Sequence, residues 1–352
     1  MRLTIKRDEL TRAIAAVSKV VESRNVMPIL GHLLIRAEGD DSISITATDL
    51  GIIASARANA SVEATGAICV EAKLFGDIVR KAGSDISIEL KDDKLAVKSG
   101  RSRFSLATLA ADIFPLFGAD DYELEIETDL HALIKSVSFA AGTNDAREML
   151  NGVFLHQKDG KLVVVATDGH RLARRYGDDS PEFEGVIIPT KAASIIPEGV
   201  SKVSISREKV RVSSGDVGIT TKLIALNYVD YERVIPTSND KIFVVDRSEM
   251  MQAADRVASV SSDKARSVKL SIAPGGVNLT ARSKVGEALD EVRADYSGEP
   301  VEVGLNSAYL RDMLNALPTG RVTIAVSEPA YPVLIKGEND NWDGTLMPML
   351  VA

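Results

Sequence analysis

Apolar residues recur at intervals of three and four positions in three segments of the chain that lie 120 residues apart. Leu10, Leu130 and Met250 take equivalent places in these segments, and further apolar residues surround each of them at the same spacing. A stripe of apolar residues with this period is typical of a helix that buries one face. The pattern predicts a helix near the start of each of three repeats, in residues 5–21, 126–142 and 244–260, with N-caps at Asp8, Asp129 and Ser248.

Alternating apolar and polar residues follow each predicted helix and indicate two strands joined by a tight turn. The three stretches are "SISITATDLGIIASAR" (42–57), "LVVVATDGHRLARR" (162–175) and "VNLTARSKVGEALDEV" (277–292). The first two share a Thr-Asp pair, whose short polar side chains bond the local backbone at a turn. In the second of these turns Gly169 tolerates a positive φ, whereas the equivalent residue of the first turn is Leu50. This difference indicates that the second turn is specialised for binding.

A second helix and a further pair of strands complete each repeat. The helices are predicted in residues 71–83, 189–199 and 306–320, and each ends near Gly or Pro. The strand pairs are predicted in residues 94–109, 209–224 and 332–348. The fold class is therefore α+β, with three tandem domains of antiparallel sheets and two helices each, in residues 1–120, 121–240 and 241–352.

The composition of the 352-residue chain is that of a globular protein, with 45% hydrophobic and 26% charged residues. The start "MRLTIKRDEL" carries charges where a signal peptide needs an apolar run, and no stretch approaches the roughly 18 apolar residues of a membrane span. We therefore expect a cytoplasmic protein with no membrane partner. The single cysteine, Cys69, lies in the apolar run "AICVEA", so we expect a buried thiol and no redox chemistry.

The turn at residues 167–171 places an acid, a base and a cation side by side, which raises the hypothesis of an acid/base hydrolase centred on Asp168 and His170. The rest of the sequence argues against catalysis. The four histidines lie far apart, and the sequence has no phosphate-binding glycine motif and no nucleophile elbow. We therefore predict that the protein is not an enzyme and needs no metal or cofactor.

The net charge of the chain is −8, yet the predicted helices carry a net positive charge and the remainder is strongly acidic. Such a distribution holds a polyanion on the helical face and repels it elsewhere. Aromatic residues make up only 5% of the chain, which argues against stacking on single strands and favours contacts with the backbone of a duplex. The alternative that stays open is a monomeric scaffold of repeats that binds other proteins.

Eight short stretches, in the same order, resemble the bacterial sliding clamp family, the β subunits of DNA polymerase III, along essentially the whole chain. They are "MPILGHLLI" (27–35), "ATDL" (47–50), "GRSRFSLATL" (100–109), "LNGVFL" (150–155), "ATDGHRLA" (166–173), "DYERVIP" (230–236), "YLRDMLNAL" (309–317) and "MPM" (347–349). The resemblance implies three DNA-clamp domains per chain and two chains that close head to tail into a ring around duplex DNA. It also implies a processivity factor that tethers the DNA polymerase III α subunit, the clamp loader, other polymerases and repair proteins by short peptide motifs.

The resemblance further implies roles for individual residues. Those facing double-stranded DNA, without sequence preference, would be Arg24, Lys73, Arg80, Asn144 and Lys191. Those forming the peptide-binding pocket would be Leu150, Thr167, Gly169, His170, Arg171, Leu172, Arg233, Val234, Asn306, Tyr309, Met347, Pro348 and Met349. Those at the homodimer interface would be Phe104 and Leu106 on one chain, with Ser259 and Val260 on the other.

Four departures from the family pattern bear on these roles. Val229 stands where the family commonly has Pro, Ala265 replaces a larger apolar residue, and the tail differs at residues 350–352. From these three we expect a shifted peptide preference. Ser259 is more polar than the family pattern at the interface, and from it we expect a weaker dimer.

Overall fold

The computed structural model describes residues 1–22, 27–39, 41–118, 121–261, 266–284, 286–318, 320–338 and 341–350. Three positions singled out from the sequence, Arg24, Ala265 and the end of the tail at 351–352, lie outside these ranges. None of the described helices is long and apolar enough to cross a membrane.

Antiparallel strands predominate over helices among the described residues, and the helices between them are short. The helices are α1 (Arg7–Ser18), α2 (Ala72–Lys81), α3 (Leu130–Lys135), α4 (Thr190–Ala193), α5 (Arg247–Ala258) and α6 (Ser307–Ala316). The 3-10 helices are Pro28–Gly31, Ala111–Ile113, Ser138–Ala140, Glu148–Asn151 and Tyr231–Val234. The strands are β1 (Arg2–Ile5), β2 (His32–Ala37), β3 (Ser42–Thr48), β4 (Ile52–Ala64), β5 (Gly66–Glu71), β6 (Ile86–Lys91), β7 (Lys94–Ser99), β8 (Ser102–Leu109), β9 (Leu124–Thr128), β10 (Gly152–Lys158), β11 (Lys161–Thr167), β12 (Arg171–Asp179), β13 (Val186–Pro189), β14 (Ser201–Ile205), β15 (Lys209–Ser214), β16 (Val217–Lys222), β17 (Lys241–Asp246), β18 (Ser267–Ala273), β19 (Gly276–Ser283), β20 (Gly286–Asp295), β21 (Val301–Asn306), β22 (Arg321–Val326), β23 (Val333–Gly337) and β24 (Trp342–Leu346).

One compact unit consists of residues 1–131 and 194–223. Its strands form a sheet in the order β1-β6-β7-β8-β5-β2-β3-β4-β16-β15-β14-β9. Helices α1 and α2 pack together, and α1 covers β3 and β4. The apolar stripe predicted for α1 is buried there: Leu10 and Val17 are 0% exposed, and so is Phe75 of α2. Each such side chain contributes about 1.5–3 kcal/mol when it leaves water.

A second compact unit consists of residues 132–193 and 224–352. Its strands form a sheet in the order β13-β10-β11-β12-β24-β23-β22-β17-β20-β19-β18-β21. Helices α5 and α6 pack together, and α5 covers β19 and β20. Met250 and Val257 of α5 and Leu310 of α6 are buried, so this unit follows the same plan as the first.

In both units, the strand that follows the Thr-Asp turn pairs with the last strand of the next repeat. Ala54 of β4 lies opposite Ile219 of β16, and Ala173 of β12 lies opposite Gly344 of β24. The two pairings have the same register relative to their turns. We call such a pairing a junction, and each junction continues one sheet from one repeat into the next.

The middle repeat is divided between the two units, because each junction joins part of it to a neighbouring repeat. The α+β class with antiparallel sheets is confirmed by the observed strand pairing. The boundaries at 120 and 240 stay a prediction, since the compact units follow the sheets and not the repeats.

Two helices of the middle repeat are shorter than predicted, for identifiable reasons. Helix α3 ends at Lys135, and Nε1 of Trp342 donates a hydrogen bond to the carbonyl of Ser136 at 3.0 Å, which takes a group that would continue the helix. Helix α4 ends at Ala193, since Pro197 has no N–H to bond the carbonyl of Ala193.

The predicted N-caps at Asp8 and Ser248 are wrong, while Asp129 directly precedes α3. The N-cap of α1 lies two residues before Asp8, which is left in the first turn, where a carboxylate favours the positive end of the helix dipole. The N-cap of α5 is Asp246, whose side chain accepts a hydrogen bond from the N–H of Glu249 at 2.9 Å. The helix begins there because β17 ends there.

Candidate functional site

The side chains of Thr167 and Asp168 hold the turn between β11 and β12. Oδ1 of Asp168 accepts hydrogen bonds from the N–H groups of His170 and Arg171 at 2.9 and 3.0 Å, and Oδ2 accepts one from Nε of Arg171 at 3.1 Å. The Thr167 hydroxyl donates to the carbonyl of Arg171 at 2.7 Å and accepts from the N–H of Gly169 at 3.1 Å. The polar pair therefore has a structural role in the turn.

The turn between β3 and β4 repeats the bonds that these two side chains make to the backbone. Oδ1 of Asp49 accepts hydrogen bonds from the N–H groups of Gly51 and Ile52 at 2.9 and 2.7 Å. The Thr48 hydroxyl donates to the carbonyl of Ile52 at 2.9 Å and accepts from the N–H of Leu50 at 3.1 Å. A residue pair that both turns need for their shape is not a sign of catalysis at one of them.

The hydrolase hypothesis for Asp168 and His170 is not supported. Both carboxylate oxygens of Asp168 already accept hydrogen bonds within the turn, and the imidazole ring of His170 stacks on Tyr309 with 6.5 Å between centroids. Within the described ranges, no group of three or more His, Cys, Asp and Glu side chains is placed to hold a metal ion.

A cleft of about 200 Å³ opens beside the second turn. Buried Leu150 and Leu172 form its floor, and the partly exposed side chains of Val234 and Met347 form part of its walls. Its full lining is Arg147, Leu150, Thr167, Gly169, Arg171, Leu172, Val229, Asp230, Tyr231, Val234, Thr345 and Met347. A small apolar cleft with charged groups at its rim suits the apolar anchors of a short peptide.

Distant segments of the chain build this cleft on one face of the second sheet. Leu172 of β12 lies opposite Thr345 of β24 at the junction. The N–H of Met347 donates to the carbonyl of His170 at 2.8 Å, which holds the residue after β24 against the turn. Tyr231 of the neighbouring 3-10 helix packs in the same core cluster as Leu172. The junction therefore determines where the cleft lies.

Gly169 leaves room for a cation at the rim. Its φ is 84°, and a Cβ atom there would lie 2.9 Å from Nη1 of Arg147. The Arg147 guanidinium donates to the carbonyl of Asp168 at 3.1 Å and to the carboxylate of Asp145 at 2.9 Å. The Arg147 hydrogen bond lowers the pKa of Asp145 to about 2. In the first turn Leu50 adopts a similar φ of 75°, so a leucine is tolerated by this backbone.

Two further arginines near the cleft are held in ion pairs. Nη1 of Arg171 lies 2.6 Å from Oδ2 of Asp312, and its guanidinium lies 4.3 Å from the ring centroid of Tyr309. Arg233 is exposed and lies 2.6 Å from the carboxylate of Asp230. Both guanidinium groups are thus paired with carboxylates, and Arg171 is the more buried and restrained of the two.

A histidine lies behind one wall of the cleft. Nε2 of His156 is 3.0 Å from the hydroxyl of Tyr231, which lines the cleft, and the imidazole stacks on Phe154 at 4.7 Å. Burial lowers the pKa of His156 below its ordinary value of 6.5. Burial likewise raises the pKa of the Tyr231 phenol. This wall is therefore packed around a neutral imidazole.

The structure brings seven of the predicted pocket residues together at the cleft. They are Leu150, Thr167, Gly169, Arg171, Leu172, Val234 and Met347. Arg233, His170 and Tyr309 lie nearby in the contacts just described, and Asn306 caps α6 by accepting from the N–H of Ala308 at 2.9 Å. Pro348 and Met349 line a separate cleft of about 330 Å³.

Five lining residues were missed by the sequence interpretation: Arg147, Val229, Asp230, Tyr231 and Thr345. Asp230 and Tyr231 belong to the quoted "DYERVIP" stretch, so a signal for them was present. Val229 was noted only as a departure from the family pattern. Arg147 and Thr345 carry no signal of their own, because their place depends on the packing of the turn and on strand register.

The predicted DNA-facing residues that the structure describes are exposed. Lys73 and Arg80 lie on α2, where Arg80 forms an ion pair with Asp77. Lys191 lies on α4, and Asn144 has a φ of 54° in the loop before Glu148–Asn151. These positions leave the four side chains at the surface, as phosphate contact requires.

The predicted interface residues lie at two places. On β8, Phe104 is 39% exposed, whereas Leu106 is only 6% exposed and belongs to the core of its own unit. Ser259 and Val260 directly follow α5, and the Ser259 hydroxyl donates to the carbonyl of Arg256 at 2.7 Å. Leu106 therefore offers little free surface in the single chain, and its place at a dimer interface stays a prediction.

Three family models match the chain in succession. They describe the N-terminal, central and C-terminal domains of the DNA polymerase III beta subunit, and they match residues 1–118, 125–230 and 232–350.

Relatives and solved structures agree with these matches. The chain is 38% identical to the beta sliding clamp of Caulobacter vibrioides, with 95% of each chain covered, and 35% identical to that of Pseudomonas putida, with 99% and 100% covered. The crystal structure of the DNA polymerase sliding clamp from Caulobacter crescentus superposes with a TM-score of 0.92 at 37% identity. The crystal structure of a sliding clamp from Pseudomonas aeruginosa bound to griselimycin superposes with a TM-score of 0.94 at 33% identity. Both cover 100% of each chain.

The buried histidine generates a prediction about pH. A His156 pKa that is lowered in the folded state gives stability that is present above about 6.5 and is lost as the pH falls below that value. We expect the free energy of unfolding of the wild type to fall between about pH 7.5 and pH 5 more than that of His156→Phe, by at most about 1.4 kcal/mol per pH unit. Urea unfolding at each pH measures this, and parallel curves for the two proteins would contradict it.

Proposed function

Because the chain belongs to the DNA polymerase III β subunit family, the bacterial sliding clamps, we propose that two copies close into a ring around duplex DNA and bind partner proteins at the cleft. It is a DNA polymerase processivity factor and not an enzyme. The cytoplasmic location predicted from the sequence forms part of the same proposal.

The single observation that carries the ring is the repeated junction. Twice, the strand after the turn pairs with the last strand of the following repeat. The third such strand, β20, pairs with β17 only through Ala294 and Asp295, and β8 pairs with β5 only through Thr108 and Leu109. Among the described residues, the preceding parts of these two strands have no partner on that side. A third junction, between β20 of one copy and β8 of another, would cover both edges.

The two observed junctions predict the register of the third. Ala288 of β20 takes the place of Ala54 and Ala173 in its hairpin. At the two observed junctions, Ile219 and Gly344 lie opposite those alanines. Phe104 of β8 holds the position in its own hairpin that Ile219 and Gly344 hold in theirs. Phe104 would therefore face Ala288 of the other copy.

Side chains beside this pair fit a buried contact. Leu289, which is 71% exposed, would lie opposite Arg103 of the other copy and pack on its methylene groups. Arg256 lies 2.6 Å from Asp290 and places the end of α5, with Ser259 and Val260, next to β20. A contact of this kind repeats head to tail and closes when the rotation divides the circle.

DNA would be held by exposed side chains on the helices and nearby loops. Lys73 and Arg80 on α2, Lys191 on α4 and Asn144 would contact phosphates without reading bases. Arg24 belongs to the same prediction and lies outside the described residues. Such contacts are weak and sensitive to salt, which suits a protein that slides.

The cleft would tether the α subunit of the polymerase, the clamp loader, and other polymerases and repair proteins by short peptides. Its apolar floor accepts aliphatic or aromatic anchors, while Arg147 and Arg171 attract acidic groups beside them. Val229 lines the cleft, so this departure from the family pattern acts directly on peptide preference.

Closing the cleft tests this use of it. In Gly169→Leu the new side chain meets Arg147 and fills the rim, whereas the backbone tolerates leucine as it does at Leu50. We expect the affinity for the polymerase α subunit, measured by surface plasmon resonance, to fall at least about tenfold, the loss of one well-packed anchor. The matched control Leu50→Gly in the first turn should leave it unchanged, and a folded Gly169→Leu protein with wild-type affinity would contradict the proposal.

Charges at the proposed third junction test the ring. We expect sedimentation equilibrium to give the mass of two chains for the wild type at micromolar concentration, and of one chain for Phe104→Asp with Ala288→Asp, since the two carboxylates would lie opposite each other in the third junction. Leu74→Asp, at an exposed leucine on α2, is the control and should stay dimeric. A wild type with the mass of one chain would favour the monomeric scaffold.

A further inference from the structure

A threonine in the lining of the cleft has a hydroxyl that the fold does not use. Thr345 on β24 is 2% exposed and lies between Leu172 of β12 and Leu334 of β23. Among the described residues, no donor or acceptor lies within hydrogen-bonding distance of its Oγ1. A buried hydroxyl without a partner is unfavourable, so this position needs an explanation.

The equivalent threonine at the first junction does have a partner. Thr220 of β16 lies opposite Ile53 of β4, just as Thr345 lies opposite Leu172. On its other side Thr220 pairs with Arg211, whose Nε donates to the Thr220 hydroxyl at 3.2 Å. Leu334 takes the place of this arginine at the second junction, which removes the donor beside the cleft.

The Thr345 hydroxyl is placed to serve a ligand. The side chain lines the cleft, and a rotation of about 120° about χ1 moves the buried hydroxyl to the place of the methyl group. The neighbouring floor and wall residues, Leu150, Leu172, Val234 and Met347, offer no side-chain hydrogen bond. A polar atom at the tip of a bound anchor would find its partner in Thr345.

We propose that Thr345 determines the specificity of the cleft by bonding a hydroxyl at the tip of an aromatic anchor, so that a tyrosine peptide binds more tightly than its phenylalanine analogue. The proposal rests on the peptide-binding function proposed above and names the chemistry of the partner. It requires only the cleft, and not the ring.

The test uses two synthetic peptides, Gly-Asp-Leu-Tyr-Gly and Gly-Asp-Leu-Phe-Gly, acetylated and amidated, titrated by calorimetry against the full-length protein. We expect the tyrosine peptide to bind wild type at least about threefold more tightly, and this ratio to fall to one or below in Thr345→Val. Thr345→Ser, which keeps the hydroxyl, should keep the preference. Thr220→Val removes the equivalent hydroxyl at the first junction, and this variant should also keep the preference for the tyrosine peptide.

The inference alone fails if the wild type prefers the phenylalanine peptide, or if Thr345→Val keeps the preference for tyrosine, while the polymerase α subunit still binds. If neither peptide binds but the α subunit does, it also fails. If the wild type binds neither the peptides nor the α subunit, the proposed function itself is contradicted.

Discussion

A strand at the edge of a sheet leaves a row of backbone N–H and C=O groups without partners, and the architecture of this chain depends on how such edges are covered. At two junctions the next repeat supplies the missing strand in the same register. Each sheet therefore runs through two repeats, which is why the compact units do not coincide with the repeats. Among the described residues, β8 and β20 are the strands of the repeated pattern that lack their junction partner, and in the proposed ring a second copy would supply it.

The same constraint produces the cleft. Pairing of β12 with β24 sets Thr345 beside Leu172 and brings Met347 to the turn. The turn at the first junction has the same side-chain bonds to the backbone, yet Leu50 stands there in the place of Gly169. The lining of the cleft thus differs from the first turn by a few substitutions on a repeated scaffold, which the fold itself does not dictate.

The repeat, the helix periodicity and the two polar turns follow from the sequence, because each depends on residues close together in the chain. The ends of the helices are predicted less well from the sequence. Trp342 takes the carbonyl that would extend α3, although about 200 residues separate them. Most of the cleft came from the family resemblance, whereas Arg147 and Thr345 require knowledge of the packing at the turn and of which strand faces which.

The most direct test of the account is retention on DNA with and without ends. When the protein is loaded by a bacterial clamp loader onto a nicked circular plasmid, we expect it to remain bound at physiological salt and to be lost once a restriction enzyme linearises the plasmid, because the proposed ring holds DNA by enclosure and not by affinity. Gel filtration of the complexes before and after cleavage measures this. Equal retention on circular and linear DNA would contradict enclosure.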